Sequence, residues 1–396
     1  MFICNVFPDL RSLSGGEKLI VKLCEESLKL GHRVSLVALS IENSLKSVLP
    51  SGLEWIEVMP SQKHVKNHYR RVFSENIYAY RIARYIPNQA DIICFHRSPS
   101  LSVLWYFKKI LRGKTPSIYY CYEPPRFAYD LQDEVLPKLG VLSYPAKLML
   151  PLIRSLDRSS ARLANQIIVF NNYMKQWLEN IYQKPVISVG PLGADIPAIS
   201  HLTNIREKLG LSANDRIILT VNRLHPRKRI DRLIQAMPIV LAKISNAKAI
   251  IIGAGPEENK LKDLTKTLGL NDSVIFTGFV PQAEINAYYE MSDIYIHLAK
   301  QEPFGLTVIE AQALGKPVIA VAEGGPKDNV LDGETGFLID INVETLANRI
   351  IQLLQDDKLR MQFGEKARKH IKENYDWQSS VQRFLEVCAE LKNENL

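Results

Sequence analysis

Glu302 and Glu310 bracket a Pro303-Phe304-Gly305 turn and the start of a periodic apolar run, Leu306, Ile309 and Ala313. Ionised carboxylates accept several hydrogen bonds each, so a pair held this way can take up hydroxyls of a hexose and of a ribose. The run Ile294-Tyr295-Ile296-His297-Leu298 just upstream reads as a strand. Glu302 therefore falls in the loop at a strand's carboxyl end, where open α/β sheets bind ligands. Gly305 lets the backbone approach a phosphate. Leu306 and Thr307 then open a helix whose unpaired N–H groups and positive dipole end attract anions. Two glutamates at this spacing also occur by chance on many helices, so the neighbouring residues must decide.

Arg223 and Lys228 are such neighbours. They lie in Asn222-Arg223-Leu224-His225-Pro226-Arg227-Lys228-Arg229, after an apolar strand and before a helix carrying Ile230, Leu233 and Ile234 on one face. Breaking a glycosyl–phosphate bond leaves negative charge on the departing phosphate, and two fixed cations stabilise that charge more in the transition state than before it. Gly15-Gly16-Glu17 suits a phosphate-facing helix start and equally an ordinary tight turn. Gly253-Ala254-Gly255-Pro256 lacks the G-x-G-x-x-G dinucleotide fingerprint, because Pro256-Glu257-Glu258 breaks it. Phe279-Val280, after Thr277-Gly278, reads by itself as core packing. In the first half, His96 ends a predicted strand, and Tyr122, Glu123 and Arg126 stand in the loop after another. A phenol at Tyr122 can hydrogen-bond a sugar hydroxyl but cannot hold a proton near neutral pH as imidazole does.

Taken together, E-x7-E with its internal F-G, the segment Ala311–Asp340 and R-L-x-x-x-K resemble the retaining glycosyltransferases of family 4, which have the GT-B fold. The resemblance is strong over about 200–377 and moderate over 1–198. It implies an α/β chain of two Rossmann-like parallel-sheet domains facing a central cleft, and transfer of a hexose from a nucleotide sugar without a metal or other cofactor. It further implies catalytic roles for Glu302, Arg223 and Lys228. Donor contacts are implied from Gly15, Gly16, Phe279, Val280, Phe304, Gly305, Leu306, Thr307 and Glu310. His96, Tyr122, Glu123 and Arg126 are expected on the acceptor side. Three positions depart from the family pattern: Arg229 where Gly is usual, Tyr122 where related mannosyltransferases often have His, and Asp328 for Glu in Gly324-Gly325-Pro326-Lys327-Asp328. The last loop favours GDP-mannose and an acceptor that is a glycan or lipid-linked. Open alternatives are a UDP-sugar-dependent glucosyl- or N-acetylhexosaminyltransferase, a nucleotide-sugar epimerase, and a non-catalytic lipid- or nucleic-acid-binding relative.

These residues need sheets to hold them, and strand and helix patterns alternate along the whole chain. The first half predicts strands at Phe2–Val6, Val34–Ala38, Leu53–Val58, Asp91–Phe95, Ser117–Tyr120, Gln166–Phe170 and Val186–Val189. A long basic helical region is expected from about Val65 to Tyr85, and a less regular stretch over Phe127–Leu156, either an interfacial amphipathic element or a helix packed on its own domain. Gly190–Pro197 is the natural hinge. The second half predicts strands at Arg216–Val221, Ala249–Ile252, Val274–Thr277, Ile294–Leu298, Val318–Val321 and Gly336–Ile339. The expected domains are 1–198 and 199–377, with a last helix near 378–396 returning to the first, as Tyr375-Asp376-Trp377 resembles the family's crossing segment.

Length and composition agree with two buried cores: 396 residues, 46% hydrophobic. Residues 1–200 carry 25 Lys and Arg against 16 Asp and Glu, whereas 201–396 carry 25 against 26. Residues 63–126 concentrate this surplus, 12 basic to 3 acidic, interleaved with aromatic residues that include Tyr69, Phe73 and Trp105. Such a region attracts anions or simply forms a solvated face. No nucleic-acid-binding signature accompanies it, so an anionic membrane surface is the expected partner. The five cysteines lack C-x-x-C spacing, and the start of the chain has no basic leader, so reduced thiols and a cytoplasmic, peripheral location are expected.

Overall fold

A computed structural model describes residues 1–11, 15–59, 75–137, 140, 143–195 and 205–394. The chain divides into two compact units, Met1–Leu192 with Trp377–Leu396, and Gly193–Asp376.

The first unit is built on a seven-stranded sheet of β1 (Phe2–Val6), β3 (Arg33–Ala38), β5 (Glu54–Glu57), β6 (Ile92–His96), β7 (Ser117–Tyr120), β8 (Gln166–Val169) and β9 (Val186–Ser188). Its order is β5-β3-β1-β6-β7-β8-β9, with every neighbouring pair parallel. A minor parallel pair, β2 (Asp9–Leu10) with β4 (Ser40–Ile41), extends the ends of β1 and β3. These two-residue strands had no signal in the sequence, being too short for any periodicity to show. The order reverses between β1 and β6, since β1 leads to β3 on one side while the chain returns to β6 on the other. That is the topological switch point of the sheet. The final helix, Trp377–Asn393, packs on this unit. Phe384 stacks on Tyr120 at 6.2 Å, Lys392 pairs with Asp91 at 3.0 Å, and Arg383 donates to the carbonyls of Val189 and Pro191.

The second unit holds a six-stranded sheet of β10 (Arg216–Val221), β11 (Ala247–Ile252), β12 (Val274–Gly278), β13 (Ile294–His297), β14 (Val318–Val321) and β15 (Gly336–Ile339). Its order is β12-β11-β10-β13-β14-β15, again all parallel. Both faces are covered. Ile218 belongs to a core with helices Ile230–Leu241 and Val343–Gln355, while Ile217 and Leu219 belong to another with Gln282–Met291 and Leu306–Ala313. This is why the strands read as unbroken apolar runs and not as alternating ones. The switch point lies between β10 and β13, whose outgoing loops carry Arg223–Lys228 and Glu302.

The part of the expected Val65–Tyr85 helix before residue 75 lies outside the described residues, and a helix is present at Ala79–Arg84. The region expected to be irregular over Phe127–Leu156 contains a regular 19-residue helix, Ser143–Ala161. Pro145 and Pro151 hid it in the sequence. Among the described residues, no helix is long and apolar enough to cross a membrane, and all five cysteines are buried and unpaired.

Candidate active site

In the second unit, the loop after β10 and the loop after β13 meet at the switch point. Lys228 Nζ lies 2.5 Å from Glu302 Oε2, with the two side chains only 12% and 17% exposed. Burial by itself would raise the Glu302 carboxyl, but the positive charges of Lys228 and then Arg227 overcome it and hold the group at about 2. Glu302 is thus a carboxylate, and Lys228 is the cation it faces. Resemblance had given the two residues separate duties, one toward the sugar and one toward the diphosphate. The structure joins them in one ion pair. Arg223, by contrast, is exposed.

Of the remaining donor-side candidates, Phe304, Gly305, Leu306 and Thr307 lie on the turn and helix start just after Glu302. Gly305 has φ +86° and starts helix Leu306–Ala313, so a side chain there would be strained; Phe304 beside it is buried. The backbone of Leu306 and Thr307 forms the first turn. Glu310 accepts a hydrogen bond from the Tyr289 hydroxyl at 3.1 Å, which orients the carboxylate one turn along. Phe279 and Val280 separate in role: Phe279 is 80% exposed just past β12, whereas Val280 is packed into the core. An exposed aromatic face there can stack a base, and Val280 can only support it.

His297, at the carboxyl end of β13, went unnoticed in the sequence. It is buried, and neither ring nitrogen has a hydrogen-bond partner. Burial, reinforced by Lys228, lowers its pKa to about 3, so it is a neutral imidazole close to the Lys228–Glu302 pair. Its position two residues after Tyr295 on a strand of apolar character was the one available signal.

In the first unit, His96 at the end of β6 is fully buried. Its Nε2 lies 2.8 Å from Asn5 Oδ1 and its Nδ1 lies 2.8 Å from the Tyr122 hydroxyl. Asn5 Nδ2 is directed at Cys24 Sγ, so Oδ1 is the atom facing the ring. The consistent tautomer therefore has Nε2–H donating to Asn5 and Nδ1 accepting from Tyr122. Burial lowers the His96 pKa to about 3. The phenol is thus turned inward to His96, and both imidazole nitrogens are taken up by Asn5 and Tyr122. Gly16 is explained by the same ring, since a Cβ there would stand 2.7 Å from Tyr122 Cδ2. Gly15, with φ +54°, precedes helix Gly16–Lys29. Arg126 is buried as well, paired with Asp130 and lying 5.6 Å from the Trp177 ring centre, while Glu123 is half exposed, 3.9 Å from Arg126. Arg126 thus braces its own loop.

Among the described residues, no group of three or more His, Cys, Asp or Glu side chains is placed to hold a metal ion. The arrangement in the second unit offers cations, a carboxylate and helix-start N–H groups around one point, which suits a phosphorylated, hydroxyl-rich ligand.

Comparison with known proteins agrees on both halves. Residues 13–196 match the model of Glycosyltransferase Family 4, and residues 202–370 match that of glycosyl transferases group 1. The chain belongs to family 4 of the glycosyltransferases. Among curated relatives, it is 30% identical over 184 residues to the N-acetyl-alpha-D-glucosaminyl L-malate synthase of Bacillus anthracis, covering 46% of this chain and 48% of that protein. It is 28% identical to the GDP-mannose-dependent alpha-(1-6)-phosphatidylinositol monomannoside mannosyltransferase of Mycolicibacterium smegmatis, covering 61% and 66%. The matches thus span about half to two thirds of these relatives. Among solved structures, the sucrose-phosphate synthase of Thermosynechococcus elongatus superposes with a TM-score of 0.78 at 20% identity, covering 99% of each chain. Anabaena HepE, solved with UDP and glucose, gives 0.70 at 20% identity over 98% of this chain and all of that one. The fold is α/β of the GT-B type, with two Rossmann-like parallel sheets.

Proposed function

We propose that this protein is a retaining, metal-independent hexosyltransferase that moves a hexose from a nucleotide sugar to a hydroxyl of a glycan or lipid-linked acceptor. The observation that carries the reading is the Lys228–Glu302 pair at the switch point of the second sheet, beside the helix start at Gly305. Arg223, Lys228 and the N–H groups of the helix start neutralise the donor diphosphate as the C1–O(phosphate) bond breaks. The acceptor oxygen forms its bond to C1 on the face that the phosphate leaves, and its proton passes to the departing phosphate oxygen. Glu302 holds sugar hydroxyls, Glu310 the ribose, and Phe279 the base. The two cations supply the charge that a metal supplies elsewhere.

Mannose from GDP-mannose is the first choice of donor, supported by Gly324-Gly325-Pro326 and by the GDP-mannose dependence of the Mycolicibacterium smegmatis relative. A UDP-sugar is the rival, supported by HepE's bound UDP and glucose. The acceptor is read as membrane-borne, with the first unit held on an anionic cytoplasmic surface. Helix Ser143–Ala161 supports this. Tyr144, Leu148, Met149, Leu152 and Leu156 are 49–74% exposed on it, flanked by exposed Lys147 and Arg158 and with no exposed carboxylate on the helix. Apolar side chains with basic neighbours are what an interfacial helix presents to anionic lipid.

The test incubates the protein with GDP-mannose, UDP-glucose and UDP-N-acetylglucosamine, with and without a lipid-extract acceptor, and measures released nucleotide and the anomeric configuration of the product. Acceptor-dependent release of one nucleotide with retained configuration is expected. Conversion of the donor sugar without acceptor points to the epimerase instead, and donor binding unchanged in Glu310→Ala with no release from any donor overturns the reading.

A further inference from the structure

Two of the five non-glycine residues with positive φ among the described residues adjoin the Lys228–Glu302 pair: Arg229 (φ +51°) follows Lys228, and Gln301 (φ +47°) precedes Glu302. Side chains in this region cost energy, and such residues persist only where surrounding contacts over-determine them. For Arg229 the contact is visible. Its Nη1 lies 3.1 Å from Glu323 Oε1, with the side chains 19% and 33% exposed. Glu323 opens the loop whose next two residues seat the backbone of Glu302. Gly325 N–H donates to the Glu302 carbonyl at 2.7 Å, and a Cβ on Gly324 would stand 2.4 Å from that same carbonyl oxygen. From the other side, Lys300 N–H donates to the Arg227 carbonyl at 2.8 Å. Three loops, after β10, β13 and β14, are therefore tied around one ion pair.

We propose that Arg229 is a positioning residue: through Glu323 it locks the Lys228 loop to the glycine loop beneath Glu302, and so fixes the geometry in which Lys228 and Glu302 meet the donor. The proposal rests on the transferase reading for its kinetic consequence, while its structural content stands apart from it. Glycine, usual here in the family this chain resembles, satisfies the left-handed backbone without strain. Arginine accepts that strain and gains a tether. Removing the tether leaves the backbone relaxed and the two loops free to part, and small misplacements of charged groups cost rate steeply.

The experiment compares wild type with Arg229→Gly, Glu323→Gln, the double variant, and the exchange Arg229→Glu/Glu323→Arg. Amide hydrogen exchange is followed over residues 223–229, 300–306 and 323–326, together with melting temperature and turnover of the productive donor. Each single variant is expected to speed exchange in all three loops about tenfold and to lower kcat roughly 3–10-fold with little change in KM. Melting of Arg229→Gly stays at or above wild type, because the strained backbone is relieved. The double variant is no worse than either single one, and the exchange restores protection. Effects of the two single variants that add, or exchange confined to residues 226–230, overturn the brace. A wild type that turns over no donor while the exchange pattern holds refutes the transferase reading and leaves the brace intact.

Discussion

At the scale of residues, the site consists of groups whose charges depend on one another. Glu302 is ionised only because Lys228 and Arg227 outweigh its burial. Replacing Lys228 with methionine leaves a largely buried carboxylate without its partner, which costs about 3–5 kcal/mol in a dry interior and about 2 here, because both side chains retain some exposure. Lys228→Met should therefore melt several degrees below wild type, and Glu302→Gln, which takes the carboxylate from an equally buried Lys228, should melt below it as well. Each should lower turnover by about 10²–10³, the usual cost of losing one fixed electrostatic partner of a transition state. Tyr122 gives a contrasting case. Tyr122→Phe removes the donor to His96 Nδ1 and strands a buried acceptor, costing about 1–3 kcal/mol. Because its hydroxyl faces inward, donor turnover should survive where stability does not, and a chemical denaturation series beside a nucleotide-release assay separates the two. The charged residues of this site were legible in the sequence, since charge at a strand end has few uses. His297 and the inward turn of Tyr122 were not, because which face a ring presents depends on neighbours distant in the chain.

At the scale of elements, most strands fell within a residue or two of their expected limits, since buried parallel strands leave continuous apolar runs. Helix Ser143–Ala161 was harder to read. Its two prolines resemble breaks, and its apolar residues are spread over exposed and buried sides alike. The exposed set, Leu148, Leu152 and Leu156, recurs every four residues and forms one stripe. A triple replacement of these leucines with serine should abolish cosedimentation with phosphatidylglycerol vesicles while leaving melting unchanged, since none of the three side chains is buried. Retained cosedimentation would show that another surface holds the membrane. Gly305 belongs to this scale too: with φ +86°, Gly305→Ala should cost about 1–2 kcal/mol and weaken nucleotide binding, measured by calorimetry, because the helix start shifts.

At the scale of the whole molecule, the two units should answer acid differently. A buried neutral histidine takes up its proton only on unfolding, so stability falls as pH drops from 6.5 towards its folded value near 3. His96 does this in the first unit and His297 in the second, each at about 1.4 kcal/mol per pH unit. In the first unit Asp157, buried and hydrogen-bonded by Tyr129, is raised to about 6 by its burial. A raised acid binds its proton in the folded state first, so between pH 6 and 4 it adds stability as pH falls and offsets His96. Among its described residues the second unit has no carboxyl raised in this way, and below about pH 4.5 it also begins to lose the contribution of Glu302, whose folded value is depressed. Hydrogen exchange at pH 7 and 5, corrected for intrinsic rates, should show protection of β10–β14 falling markedly while β1 and β6–β8 hold. Asp157→Asn should remove that difference.

The sequence by itself determined the α/β class, the strands, and which charged residues stand in the loops at strand ends, because burial and strand-end chemistry are local and leave local marks. Tertiary structure decided what those residues do to each other. Sheet order, not spacing, brought Lys228 and Glu302 into contact across 74 positions. It set Arg229 against Glu323 and turned Tyr122 towards His96. Each of these depends on which strand ends the sheets bring near one another, those of β10, β13 and β14 or of β6 and β7, and that nearness exists only once the strands have paired.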